Sequence, residues 1–294
     1  MYRLLVTLSI MIALASFGAA HAADSRTLTF GGRERSYLVY RPAGLNGPAP
    51  LVVVMHGGFG TGSQAEHSYG WDAMADRGHF VVVYPDGVRR AWNAGGKCCG
   101  RPERDNIDDV GFLTALIKTV SHAENIDPKR VYLTGMSNGA AMSYRYACEG
   151  TFPIAAIGPV SGSFSYSCPK PHAVSVMEIH GLNDHNIPFN GGHGNKAATD
   201  VQWLGVDKSL VPFHAVDDCP PPVVKQNGPV KTTSAHCAAG RDVILIAISG
   251  AGHQWPGSQR AGGFFAWLLR LDPPSTALDA TSTLWDFFKA HRAD

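Results

Sequence analysis

The sequence lacks a charge imbalance: 25 Lys and Arg face 24 Asp and Glu across 294 residues, a formal net charge of +1. Without a field of one sign to draw in a polyanion, nucleic acid is excluded as the expected partner. Long apolar runs are missing after residue 22, so no later segment is expected to span a bilayer. Paired CxxC and His-x-His spacings are missing as well, and no metal site is expected. No internal repeat and no Ser/Thr/Pro linker divides the chain, which favours a single domain. What is present is the composition of a chain that buries a full-sized core, with 45% hydrophobic and 17% charged residues. Its 33 Gly and 19 Pro imply many tight turns, against a helical bundle and in favour of an α/β or all-β architecture.

Arg3, the apolar run Leu4 to Ala20 and the small-x-small pattern Ala20-His21-Ala22 read as a secretory signal peptide over 1–22, cleaved after Ala22. Residues 23–294 are then the exported domain, secreted or periplasmic, with no membrane association expected after cleavage. No cysteine precedes Cys98, so the lipid-modified cysteine of a bacterial lipoprotein is absent. Export places Cys98, Cys99, Cys148, Cys168, Cys219 and Cys237 in an oxidising compartment, where an even count pairs as disulfides. Cys219 with Cys237 is the favoured single pair, and adjacent Cys98 and Cys99 are expected to seek different partners.

Thr27 to Phe30 and Ser36 to Tyr40 flank Gly31-Gly32 as a hairpin. Leu51 to Met55, Phe80 to Tyr84 and Val131 to Thr134 are short continuous apolar runs, as in strands covered on both faces of a parallel sheet. Helical patterns over Gln64 to Asp76 and Asp109 to His122 alternate with them. Further strands are expected at Ala155 to Val160, Ala173 to Ile179 and Val243 to Ile248, and a closing amphipathic helix at Thr281 to His291. The stretch from His185 to Asn227 shows little periodicity and reads as a wall or partial lid over a site.

After the strand starting at Val131, Gly135-Met136-Ser137-Asn138-Gly139 runs directly into a helical segment, the strand–GxSxG–helix order of a nucleophile elbow. The pentapeptide alone is a weak signal; its context carries it. A serine hydroxyl needs a base beside its proton and an acid that orients the base. Asp184 follows the strand ending at Ile179, and glycine-flanked His253 follows the one ending at Ile248, so both stand in loops at strand ends. Asp217, Asp218 and Asp242 are weaker acid candidates, and His180 and His185 weaker bases. The glycine-rich loop His56-Gly57-Gly58-Phe59-Gly60 offers backbone N–H groups of Gly57 and Gly58 for an oxyanion, with Asn138 N–H as the other donor. Phe59, Trp92 and Trp255, beside these loops, are candidate substrate contacts.

The set MHGGFGTG, Trp92-Asn93 to Cys98-Cys99, Asp108-Asp109-Val110-Gly111-Phe112, GMSNGAAMSYRYACE, HGLNDHNIPFNGG and GHQWPG resembles the secreted poly(3-hydroxybutyrate) depolymerase type esterases. Feruloyl and acetyl-xylan esterases of carbohydrate esterase family one are similar to this group. The resemblance implies an α/β-hydrolase fold with a mostly parallel central sheet flanked by helices, a Ser137, Asp184, His253 triad, and no metal or organic cofactor. It implies an ester substrate, either an oligoester or an acylated polysaccharide, and suggests that Cys148 pairs with Cys98 or Cys99. Departures are an insertion at 101–107, Gln254 where threonine is commoner, and Phe213 to Pro222. Prolyl-oligopeptidase-like serine peptidases share the triad order, although no propeller-sized segment precedes this catalytic unit. An inactive hydrolase fold used for binding is the reading from another class, and phosphonate labelling of Ser137 separates it from an enzyme.

Overall fold

The computed structural model describes residues 23–196, 200–259 and 271–294. The signal peptide expected over 1–22 lies outside them. The chain opens with strands β1 (Asp24–Phe30) and β2 (Arg33–Tyr40), paired antiparallel across Gly31-Gly32, both at positive φ as a tight hairpin turn requires. Strands β3 (Ala49–Met55), β4 (Val81–Pro85), β5 (Ile126–Met136), β6 (Ala156–Val160) and β7 (Ser175–Gly181) follow. After them come the short pair β8 (Gly192–His193) and β9 (Gln202–Trp203), then β10 (Val223–Asn227), β11 (Val230–His236) and β12 (Asp242–Ile248). One ten-stranded sheet runs β1-β2-β4-β3-β5-β6-β7-β12-β11-β10. From β4 across to β12 all neighbours are parallel, and antiparallel hairpins extend the sheet at both edges. Together with helices on both faces this is an α/β-hydrolase fold in a single domain.

The apolar runs sit in the middle because both faces are covered. Leu51 and Val53 point into a core shared with α4 (Asp109–Ala123), α5 (Asn138–Glu149) and α6 (Val206–Val216), where Leu116, Tyr144 and Phe213 are buried. Val52 and Val54 point the other way, toward α1 (Gly62–Tyr69), α2 (Trp71–Gly78) and the closing helix Ala280–Phe288, among Trp71, Phe80 and Phe288. The single helix expected over Gln64 to Asp76 is two, broken where Gly70 adopts φ 76°. The stretch from His185 to Asn227 is more regular than its sequence pattern suggests. It holds the β8/β9 pair, α6 with Pro212 inside, and β10, whose five residues are all exposed at the sheet edge and so carry no apolar alternation.

Two cysteine expectations are corrected. Cys98 and Cys99 bond to each other, and Cys148 bonds to Cys168, not to either of them; Cys219 bonds to Cys237. Folding brings the Cα atoms of Cys148 and Cys168 to 6.3 Å, inside bridging range, which leaves the two neighbours only one another. The Trp92 to Cys99 segment is also anchored by charge. Buried Arg35 donates to Asp109 at 2.8 Å and lies over the Phe112 ring, while the other Asp109 oxygen accepts from Asn93 N–H.

Candidate active site

Ser137 joins β5 to α5 at φ 57° and ψ −118°, a conformation held by its backbone. Its N–H donates to Val160 and its carbonyl accepts from Ala141 N–H. The flanking glycines permit this turn: a Cβ at Gly139 would collide with the Met55 and His56 carbonyls, and one at Gly135 would lie 2.6 Å from Met55 O. The helix is thereby pressed against β3, and Ser137 is lifted above the carboxyl end of the sheet.

Asp184 and His253 stand in the loops after β7 and β12, which are hydrogen-bonded neighbours. The Ser137 hydroxyl lies 2.9 Å from His253 Nε2, and His253 Nδ1 lies 2.7 Å from Asp184 Oδ2. The second Asp184 oxygen accepts from the N–H groups of Asn186 and Ile187, both at 2.8 Å. Although burial opposes ionisation, the neighbouring His253 and His180 and these donors hold the Asp184 carboxyl below its ordinary value. Among the weaker candidates, Asp217 is bound by Arg241, and Asp242 by His236 and His291.

His180 is not beside the serine; it is buried behind Asp184. Its Nδ1 is 2.9 Å from Glu178 Oε1, its Nε2 is 2.9 Å from the Ile187 carbonyl, and Asp184 Oδ2 lies 3.4 Å from Nε2. Both ring nitrogens thus face acceptors, and these contacts raise its proton affinity against the opposing effect of burial. Glu178 also accepts from Tyr144 OH and Gly162 N–H. A hydrogen-bonded Glu178–His180 pair is therefore packed directly beneath the Asp184 loop, and burial pushes the Glu178 carboxyl up to about 7.

On the opposite side, Phe59 N–H is committed to Arg90 O and Gly60 N–H to Gly57 O. Gly58 N–H has no acceptor among the described residues, and Asn138 N–H, first in α5, has none within its own helix. A Cβ at Gly57 would sit 3.5 Å from Ser137 Cβ, so this loop lies directly against the serine. His56 anchors it in a neutral form: Nε2 accepts from Gly87 N–H and Nδ1 bonds to Gly57 O. Burial lowers its pKa from 6.5 to about 4. The unfolded imidazole protonates near its ordinary value and the folded one only at about 4, so this contribution to stability is complete above 6.5 and is lost as pH falls toward 4. The loss is about 3 kcal/mol. Urea titrations from pH 7 to 4 should show it, and His56→Gln should flatten that part of the slope; an identical slope in the variant would remove His56 as its source.

A cavity of about 600 Å³ opens over Ser137 and His253, walled by Phe59, Cys99, Ile187 and Trp203. Phe59 is 53% exposed, but Trp92 and Trp255 are buried and do not line it, which corrects their expected role. Trp92 fills the space behind the glycine loop, donating from Nε1 to His56 O, while its backbone N–H and C=O are clasped by the Asn138 amide at 2.7 and 3.0 Å. Trp255 stacks on Tyr69 at 4.4 Å and donates to Thr281. Ile187 and Trp203 went unnoticed in the sequence because they lie in its least periodic stretch, brought over the site by the β8/β9 pair.

Residues 35–192, more than half of the chain, match the family described as Esterase PHB depolymerase. The chain belongs to that family. Feruloyl esterase C of Emericella nidulans is 28% identical over 303 residues, covering 97% of this chain and 98% of its own. Feruloyl esterase B of Piromyces equi is 27% identical over 234 residues, which span 74% of this chain but 42% of the relative. In structure, an acetyl xylan esterase from Aspergillus awamori superposes with a TM-score of 0.59 at 15% identity, over 84% of this chain and 98% of its own, a likeness of fold. The esterase is accordingly a carboxylic ester hydrolase.

Proposed function

We propose that this esterase is an exported serine hydrolase working through an acyl-enzyme on Ser137, with oligoesters of the polyhydroxyalkanoate type or feruloyl or acetyl esters of plant polysaccharide as substrates. The observation that carries the reading is the unbroken chain Ser137 Oγ, His253 Nε2, His253 Nδ1, Asp184 Oδ2, with links of 2.9 and 2.7 Å. Ser137 Oγ attacks the acyl carbon as its proton passes to His253 Nε2. The carbonyl oxygen gathers charge against Gly58 and Asn138 N–H, Gly57 supporting the loop. Collapse expels the alcohol, protonated by His253; water then adds to the acyl-enzyme by the same steps, releasing the acid and restoring the serine. Asp184 keeps the Nδ1 proton of His253 in place and balances the imidazolium charge. Export rests on the 1–22 signal pattern and agrees with three disulfides.

Comparing kcat/KM for a soluble 3-hydroxybutyrate oligomer and for methyl ferulate, with Ser137→Ala as the blank, tests the substrate class. Preference for the oligomer marks a polyester hydrolase, and preference for ferulate a plant cell-wall esterase. Neglect of both, with p-nitrophenyl butyrate still turned over, withdraws the polyester and feruloyl readings and leaves acetyl esters.

A further inference from the structure

The whole chain is nearly neutral, yet the rim of the Ser137 cavity is not. Among the described residues six cations line it: Arg89, Arg90, Lys97, Arg101, Arg104 and Lys196. Among the described residues Glu103 and Asp200 alone carry the opposite charge there. Some of this charge is answered locally, since Lys196 pairs with Asp272 at 3.1 Å and Arg101 lies 3.6 Å from Asp105. Arg89, Arg90, Lys97 and Arg104 have no carboxylate within 4.0 Å among the described residues.

Their placement is specific. Arg89, Arg90 and Lys97 hold φ of 53°, 63° and 67°, a left-handed region that residues with side chains rarely adopt. Arg101 and Arg104 come from the short helix α3 (Arg101–Arg104) in the inserted segment. This loop is fastened to the reacting groups: Arg90 O accepts from Phe59 N–H, Arg90 Nε donates to Gly60 O, and Trp92 is clasped by Asn138. The cations therefore keep a fixed relation to Ser137, around a slot whose wall is apolar at Phe59, Ile187 and Trp203. A cleft with one sign of charge above a low-dielectric wall concentrates ligands of the opposite sign.

We infer that the site selects esters that carry a carboxylate beyond the scissile bond, received by the Arg89, Arg90, Lys97 and Arg104 rim. This deepens the proposed function and rests on it. The carboxylate can be the free end of an oligoester or a uronate on an acylated glycan, and two pairs of substrates separate these sources. One pair is the 3-hydroxybutyrate trimer and its methyl ester; the other is a feruloylated xylo-oligosaccharide with and without a glucuronosyl branch. At low salt kcat/KM is expected to be roughly tenfold or more higher for the charged member of one pair. The preference should shrink in 0.5 M NaCl and disappear in the exposed double variant Lys97→Gln, Arg104→Gln. Equal or lower values for the charged members of both pairs overturn the inference while leaving ester hydrolysis intact. So does a preference that survives in the double variant. Failure to turn over all four compounds overturns it together with the proposed substrate class.

Discussion

Ser137→Ala is expected to lower kcat on any ester by roughly 10⁴-fold or more while leaving the fold intact. The hydroxyl makes one hydrogen bond, to His253, and the elbow is held by backbone contacts to Val160 and Ala141 that alanine preserves. Nothing in the packing depends on Oγ. Turnover of p-nitrophenyl butyrate together with a thermal melt checks both halves. A variant that melts like the parent and keeps a tenth of its activity would remove Ser137 as nucleophile, whereas one that melts early would be uninformative about chemistry and is countered by Ser137→Cys, which keeps a nucleophilic atom at the same place.

Asp184→Asn is expected to cost about 10⁴-fold in kcat, for a reason the surroundings dictate. One Asp184 oxygen accepts from two backbone N–H groups, so an asparagine must keep its oxygen there. Its NH₂ then faces His253 Nδ1, which can only accept. The imidazole is forced into the tautomer that carries its proton on Nε2, toward Ser137, and it cannot take the serine proton. The same NH₂ also meets His180 Nε2, itself a donor to Ile187 O. Rates measured against pH check the argument: a variant with near-parental kcat at neutral pH would show that the carboxylate does not set the tautomer.

The six parallel strands were legible because their residues are apolar on both faces, and the serine, aspartate and histidine each follow such a strand. Composition could not say which side of a loop a tryptophan occupies. Trp92 and Trp255 both turn inward and are buried, Trp92 behind the glycine loop and Trp255 against Tyr69. Nor could spacing anticipate that Cys168 returns to Cys148, since that depends on how the segment after β6 folds back. The β10/β11 hairpin escaped notice because an exposed edge has no apolar face to alternate. One signal pointed elsewhere than to the serine: Glu178 and His180 interrupt the apolar run of a fully buried strand, and a polar group in such a place implies a partner, which each supplies to the other.

The three disulfides also divide the protein's dependence on oxidation in two. Cys148–Cys168 and Cys219–Cys237 are separated by 20 and 18 residues, and each restricts the unfolded chain by about 3 kcal/mol on the chain-entropy account. Cys98–Cys99 encloses no loop and adds nothing of that kind. It stands instead where Cys99 faces the cavity and Cys98 Sγ lies 3.5 Å from the Asn138 amide. Two of the bonds thus hold the chain as a whole against unfolding, and the third is part of the wall of the Ser137 cavity.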